Sequence, residues 1–210
     1  MTPTVTRITA DGIYKQFHVR RVLKGISFTV EKGQSVVITG PNGSGKSTLI
    51  KILSGLLRPS RGTVQYFNGD TPRQPTELLP AIGLVSPYLQ LYPDLTAKEH
   101  LEFFGKMRGI SQPFQKGLQL MAQFGLKGRE ADLIKTYSSG MLQRMKYVLA
   151  LLHQPAVLFV DEPSANLDEE GKETVYALIR EYKHDHIVIL ATNEPQEIHL
   201  GDIRVDVTAQ

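Results

Sequence analysis

Cysteine and tryptophan are both missing from the 210 residues. Without thiols there can be no disulfide framework, no thiolate metal site and no cysteine nucleophile, which fits a reducing compartment. A strong excess of one charge is also missing. The 24 lysines and arginines stand against 21 aspartates and glutamates, a formal net charge of +3, and the excess is too small and scattered to point to nucleic acid. Long apolar runs are lacking too. The longest uncharged stretch near the middle, LLPAIGLVSPYLQLYP (78–93), is interrupted by Pro80, Pro87 and Pro93, whereas a membrane-crossing helix needs about 20 mostly apolar residues. The opening MTPTVTRITADG has no apolar stretch behind a basic start and does not read as a secretory signal. The expectation is a chain that reaches a membrane only through a partner.

What is present is a core-forming composition, 41% hydrophobic and 21% charged, suited to one domain with a sub-lobe. Internal repeats and low-complexity tracts are not seen. Short β-rich runs cover Ile8–Ile13, Gly25–Val30 and Ser35–Thr39, and a helix is expected from Lys46 to about Leu57, with Leu49, Ile50, Leu53, Leu56 and Leu57 on one face. TVQYFNGD reads as a strand entering an Asn-Gly turn, and Ile82–Val85 as another strand. The pattern then changes. DLTAKEHLEFFGKMRG is a helix capped by Thr96, with Glu99 completing a capping box, and helix signals continue over 113–124 and 140–153. Residues 92–140 therefore form a candidate helical lobe. Strand and helix alternate afterwards, through AVLFVDE, a helix over 169–182, HIVILAT, a short helix and IRVDV, which predicts a mostly parallel α/β sheet.

The strongest local signal is GPNGSGKST, residues 40–48, which matches G-x-x-x-x-G-K-[ST] between a predicted strand and a predicted helix. Gly40, Gly43 and Gly45 let the loop curl so that its N–H groups converge, and Pro41, Asn42 and Ser44 fill the remaining positions of the cradle. The helix start adds partial positive charge. Lys46 is placed to reach the β- and γ-phosphates of a nucleotide, Ser47 to ligate Mg²⁺, and Thr48 to lie near the α-phosphate. VLFVDEP ends an apolar strand with Asp161 and Glu162. Asp161 suits the hydration shell of a Mg²⁺ ion, and Glu162 suits orientation or deprotonation of an attacking water. The lysine and these carboxylates are far apart in sequence, so their strands must lie close in one sheet.

Two further stretches leave alternatives open. YSSGMLQRMKYVLALLHQP takes a Ser-Ser-Gly turn into an amphipathic helix, which is a second anion site or, from this stretch alone, an ordinary helix cap. VILATNEPQE ends a buried strand at Asn193, which either touches a reacting group or caps a short helix.

Taken together and in order, these segments resemble the ATP-binding subunit of an ATP-binding-cassette (ABC) transporter, nearly end to end. GPNGSGKST resembles its Walker A loop, YSSGM its signature motif (Ser138, Ser139, Gly140), VLFVDEP its Walker B strand, and SANLD its D-loop, ending at Asp168. YPDLTAKEHLEFF resembles the start of its helical lobe. Phe17 falls where the family stacks an aromatic ring on adenine, or else is a core residue near a strand end. The resemblance implies an α/β fold: a P-loop NTPase core with an N-terminal antiparallel β subdomain and an inserted helical subdomain, together one ATP-binding domain over 1–210. It implies ATP and Mg²⁺, and a second cassette, identical or not, whose signature motif closes on the bound nucleotide. It also implies an integral-membrane transporter subunit as partner, a place on the cytoplasmic face of the membrane, and no nucleic-acid partner. The surface around 87–98 is the candidate docking site, though Tyr88, Leu89, Leu91 and Tyr92 equally suit a core.

Three departures bear on activity. Ser139 and Met141 replace the signature's usual glycine and glutamine. Pro87 stands where the family has a glutamine, with Gln90 as the candidate stand-in. Asn193 stands where the family has a switch histidine; its amide can donate to a phosphate oxygen but carries no positive charge. The expectation is normal ATP binding and slow hydrolysis without a partner. In length and ending the chain is similar to the haem-exporter-like ATPases of cytochrome c maturation, although another exporter fits as well. A regulatory cassette with little turnover and a soluble non-transport ABC ATPase are the rival readings.

Overall fold

The fold was analysed in a computed structural model that describes residues 4–73 and 75–208. Strands β1 (Arg7–Phe17) and β2 (Arg20–Glu31) form a long antiparallel hairpin. β3 (Ser35–Thr39) then leads into α1 (Lys46–Leu53). β4 (Arg61–Asn68) and β5 (Thr71–Arg73) complete an antiparallel sheet of order β2-β1-β4-β5. In the β4–β5 turn Asn68 pairs with Thr71, so the two-residue loop is Gly69-Asp70 and not the expected Asn-Gly. A one-turn α2 (Pro75–Leu78) precedes β6 (Ile82–Val85). Helices α3 (Ala97–Met107), α4 (Pro113–Gln123) and α5 (Ser139–Leu151) follow, and then β7 (Val157–Asp161), α6 (Glu169–Tyr182), β8 (Ile187–Thr192), a 3₁₀ turn (Pro195–Leu200) and β9 (Ile203–Asp206).

The second sheet has the order β6-β7-β8-β3-β9 and every pairing in it is parallel. A parallel sheet covered on both faces calls for continuous apolar strands, and every residue of SVVIT, VLFVD and IVILAT is buried. Successive side chains still alternate between faces. Val36, Ile38, Phe159 and Ile189 join α1 and the antiparallel sheet in one core, while Val37, Val160, Val188 and Leu190 join the helices of the other face in a second core. Helix α1 is thus held between the two sheets, which fixes the loop in front of it.

The expected cap of α3 forms where the sequence places it, and α6 has a cap of its own. Thr96 accepts from the Glu99 N–H while the Glu99 carboxylate accepts from the Thr96 N–H, and Asp168 accepts from the Gly171 N–H at the start of α6. Helix α1 is shorter than expected. It ends at Leu53, because Gly55 takes a left-handed φ of 77° and turns the chain. Leu56, expected on the apolar face, is instead 59% exposed.

Leu53 is fully buried. Leu53→Ala should therefore cost about 2–5 kcal/mol in urea unfolding, whereas Leu56→Ala should stay within about 0.5 kcal/mol of wild type. Equal costs would contradict this helix end.

Candidate functional site

The loop between β3 and α1 is built around two glycines that no other residue could replace without strain. Gly40 has φ 148°, and a Cβ there would lie 2.7 Å from Ser44 Oγ and 2.8 Å from a Val207 methyl. Gly45, at the N-cap of α1, has φ 111°, and a Cβ would lie 2.7 Å from a Val22 methyl. No side chain caps this helix and its first turn carries no acid. Its leading N–H groups therefore remain available to an anion.

Lys46 begins the helix, is only 6% exposed, and donates through Nζ to the Gly40 and Pro41 carbonyls at 2.7 and 3.1 Å. Burial lowers its pKa from the ordinary lysine value, and the nearby Glu162 and Asp161 carboxylates oppose that shift. The strand ends carrying these groups are separated by β8, two strand spacings or about 10 Å, which leaves room between them for a phosphate chain. Asp161, at the end of β7, is 3% exposed, and its Oδ1 has no partner. Burial raises its pKa; a hydrogen bond from Ser47 and the charges of Lys46 and Lys51 oppose the rise. A buried carboxylate oxygen with no partner, beside a hydroxyl at a helix start, fits a Mg²⁺ ion, which takes one or two protein oxygens and keeps several waters. Among the described residues no cluster of three or more histidines or acids suits a metal held by protein alone.

Glu162 follows with φ 55°, a left-handed conformation that costs a non-glycine residue about 1–3 kcal/mol. It is held there because its N–H donates to the Ala191 carbonyl at 2.9 Å, and because the next residue, Pro163, accepts from the fully buried Tyr147 hydroxyl of α5. The helix that begins with the signature serines thus buttresses the turn that carries Glu162. Ser138 caps α5 by accepting from the Met141 N–H at 3.2 Å, so the capping role is real; both Ser138 and Ser139 remain exposed. A Cβ on Gly140 would lie 3.0 Å from the Asn166 carbonyl, which sets SANLD beside the signature turn.

Phe17 is 43% exposed and so is not a core residue; Lys15 Nζ lies 4.9 Å from its ring centre. Its strand partner Arg20 donates to the Gly43 carbonyl at 3.3 Å, which brings this hairpin end to the loop. Asn193 is exposed at the end of β8. The capping alternative for it is not what the fold does: Thr192 Oγ1 accepts the Glu194 N–H at 2.8 Å, and the 3₁₀ turn starts with no side-chain cap. Asn193 instead borders a cavity of about 230 Å³ together with Gly40, Pro41 and Arg204.

Two corrections concern the loop after β6. Gln90 lines a different cleft, with Leu56 and Leu79, that no residue of 40–48 borders, so it does not stand in for the missing glutamine. Tyr88, Leu89 and Tyr92 are 71%, 40% and 56% exposed, and only Leu91 packs against the core. What the sequence reading missed is how this loop is held. Lys146 of α5 donates to the Ser86 and Pro87 carbonyls at 3.2 and 3.0 Å, and the fully buried His100 accepts the Tyr92 N–H with Nε2 while Nδ1–H donates to the Thr96 carbonyl. Both lie in stretches singled out above, YSSGMLQRMKYVLALLHQP and YPDLTAKEHLEFF, but neither was given a role there. A histidine on the buried face of a capped helix was the only available signal.

Comparison with known proteins agrees with this fold. The family model for ABC transporters matches residues 23–165. Linearmycin resistance ATP-binding protein LnrL of Bacillus subtilis is 32% identical over 192 residues, 90% of this chain and 62% of LnrL; the chain spans about three fifths of this and similar relatives. A solved ATP-binding subunit of an ABC transporter superposes with a TM-score of 0.84 at 26% identity, covering 96% of this chain and 86% of that one. An ATP-binding cassette captured as a dimer after hydrolysis, with ADP and Pi, shares the fold with a TM-score of 0.82 at 24% identity, covering 95% and 94%. The chain belongs to the ABC transporter family.

Asp161, with a folded pKa above its unfolded one, supports the fold while protonated and loses that support as pH rises through the folded value. Asp161→Asn should therefore raise the thermal midpoint of the nucleotide-free protein at neutral pH, with the gain shrinking in acid. A lower midpoint at neutral pH would contradict a net cost of burying the Asp161 carboxylate with one oxygen unpartnered.

Proposed function

We propose that this ABC transporter family member binds Mg·ATP and hydrolyses it at an interface between two cassettes, to drive a separate membrane-spanning exporter subunit from the cytoplasmic face. The observation that carries the reading is the meeting of Lys46, Ser47, Asp161 and Glu162 at the C-terminal edge of one parallel sheet, with a buried Asp161 oxygen unpartnered.

The roles follow from chemistry. The N–H groups of 40–48 bind the phosphates, and Lys46 exchanges the Gly40 and Pro41 carbonyls for β- and γ-phosphate oxygens. Ser47 and Asp161 would hold Mg²⁺, which would offset the negative charge of the phosphates. Glu162 orients a water and accepts its proton as the water oxygen bonds to the γ-phosphorus and the bond to the β–γ bridging oxygen breaks, giving ADP and phosphate. Asn193 donates an amide N–H to a γ-phosphate oxygen. Phe17 stacks on the base. The exposed Ser138 and Ser139 of a second chain, with the half-buried Gly140, cover the nucleotide, and Asp168 of the D-loop lies beyond them.

The membrane subunit has a receptive surface. A cleft of about 360 Å³ runs between the end of α1, β6, α3 and α5, and Leu56, Leu79 and Leu89 on its lining are all at least 40% exposed. Apolar exposure of this kind marks a protein-interaction site. Lys146 ties the Pro87 loop on its rim to the signature helix, so a partner seated here can report on the nucleotide. Export is favoured by the resistance role named for LnrL, and the haem-exporter-like assignment rests on Pro87. A cassette that mainly gates by binding is the second reading, favoured by Pro87 and Asn193 together.

Glu162→Gln should retain ATP binding and lose turnover. Asn193→His should raise turnover, by less than the ~10²–10³ that loss of a whole transition-state donor costs, because Asn193 already donates; wild-type turnover in that variant would contradict slow hydrolysis. Leu56→Glu with Leu79→Glu should abolish recovery of the chain with its membrane subunit while leaving the turnover of the isolated chain unchanged, and undiminished recovery would place the partner elsewhere.

A further inference from the structure

The antiparallel sheet carries a second cleft, beside the hairpin end that Arg20 ties to the Gly43 carbonyl, and no residue of 40–48 lines it. β1 loses register with both neighbours here. Shifts against β2 fall between Ile13 and Tyr14 and between Lys15 and Gln16, and a shift against β4 falls between Asp11 and Tyr14. Such bulges increase local twist and open the surface. The result is a cleft of about 350 Å³.

Its chemistry is one-sided. Lys15, Arg21, Lys24 and Arg61 line it together with Tyr14 and Gln16, and no carboxylate does. Four cations at one place exceed the net charge of +3 that the whole chain carries. Arg21, Lys24 and Arg61 are exposed and take part in none of the ion pairs among the described residues, although cations elsewhere on the surface pair repeatedly. Tyr14 pairs with Lys24 on one side and with Arg61 on the other, so the two cations flank its 44% exposed ring. Gathered like charges repel, and a bound anion removes that repulsion.

The position of the cleft narrows the ligand. The segment 56–61 joins it to the apolar docking cleft. Leu56 lines the docking cleft, the Arg58 carbonyl accepts Lys15 Nζ at 2.7 Å, and Arg61 lines the basic cleft. We propose that this cleft binds a phosphate-bearing anion, and that its source is the headgroup of an anionic phospholipid at the membrane to which the docking cleft is brought. The choice of lipid over a soluble phosphate compound rests on the docking reading above; the anion site itself does not. The cleft would then steady the cassette at the bilayer surface independently of the protein partner.

The test is sedimentation of the purified chain with vesicles of phosphatidylcholine, with or without phosphatidylglycerol, alongside pyrophosphate titration in a Lys46→Met background that removes the loop lysine's contribution. Each lysine or arginine near an anionic surface contributes about fivefold in affinity. Arg21→Gln with Lys24→Gln should therefore weaken binding to the anionic vesicles by about 30-fold, while Lys116→Gln with Lys127→Gln, the same change in net charge elsewhere, should have little effect. Pyrophosphate binding that depends on Arg21 and Lys24, with no vesicle binding, would support the anion site and assign it a soluble ligand. Equal loss in the two charge pairs, or no binding of either probe, would overturn the proposal. Because protein-free vesicles and the isolated chain are used, failure here leaves the docking and hydrolysis readings standing, and their failure leaves this result readable.

Discussion

The burial of opposite charges at one sheet edge governs the rest of the molecule. Lys46 and Asp161 are both nearly inaccessible, each with its pKa moved by burial towards the neutral form. Neither has the tight mutual ion pair that would offset the loss of water; the lysine bonds loop carbonyls, and one carboxylate oxygen bonds nothing. A fold that holds such groups apart in a dry edge is arranged for something that fits between them. The two-sided core keeps them there. Helix α1 is locked between the sheets on one face, and α5 and the helical lobe cover the other.

The same constraint explains why the other motifs lie where they do. Glu162 adopts a costly left-handed backbone only because a β8 carbonyl takes its N–H and Tyr147 fixes the next residue. Since Tyr147 and Lys146 are neighbours on α5, one helix touches the Glu162 turn with one residue and the Pro87 loop with the next. This gives a physical route from the apolar cleft beside α5 to Glu162, the proposed hydrolytic residue, through a packed element with contacts at both ends. It also gives Pro87 a function without a side-chain donor, since what it supplies to Lys146 is a backbone carbonyl.

Much of this was legible in the sequence, for identifiable reasons. The buried parallel strands are continuous apolar runs, the cap at Thr96 is local hydrogen-bond chemistry, and the loop at 40–48 is a spacing of glycines. What escaped depended on distant contacts. The early end of α1 turned on one glycine, Gly55, inside a leucine-rich stretch. The role of Thr192 in place of Asn193 at the 3₁₀ turn required the β8 exit geometry. The basic cleft brings together three strands whose register shifts no periodicity reveals, and Lys146 and His100 act through backbone atoms of segments far away in sequence.

The claim on which all of this converges is hydrolysis at a site completed by a second chain. The most direct measurement is steady-state ATP turnover of the purified protein across a range of its own concentration. Turnover per chain that rises with concentration, and is lost when Ser138 is replaced by arginine, is what a shared site predicts. Turnover per chain that is constant down to the lowest concentration and indifferent to Ser138→Arg would show one chain acting alone, and would contradict the account.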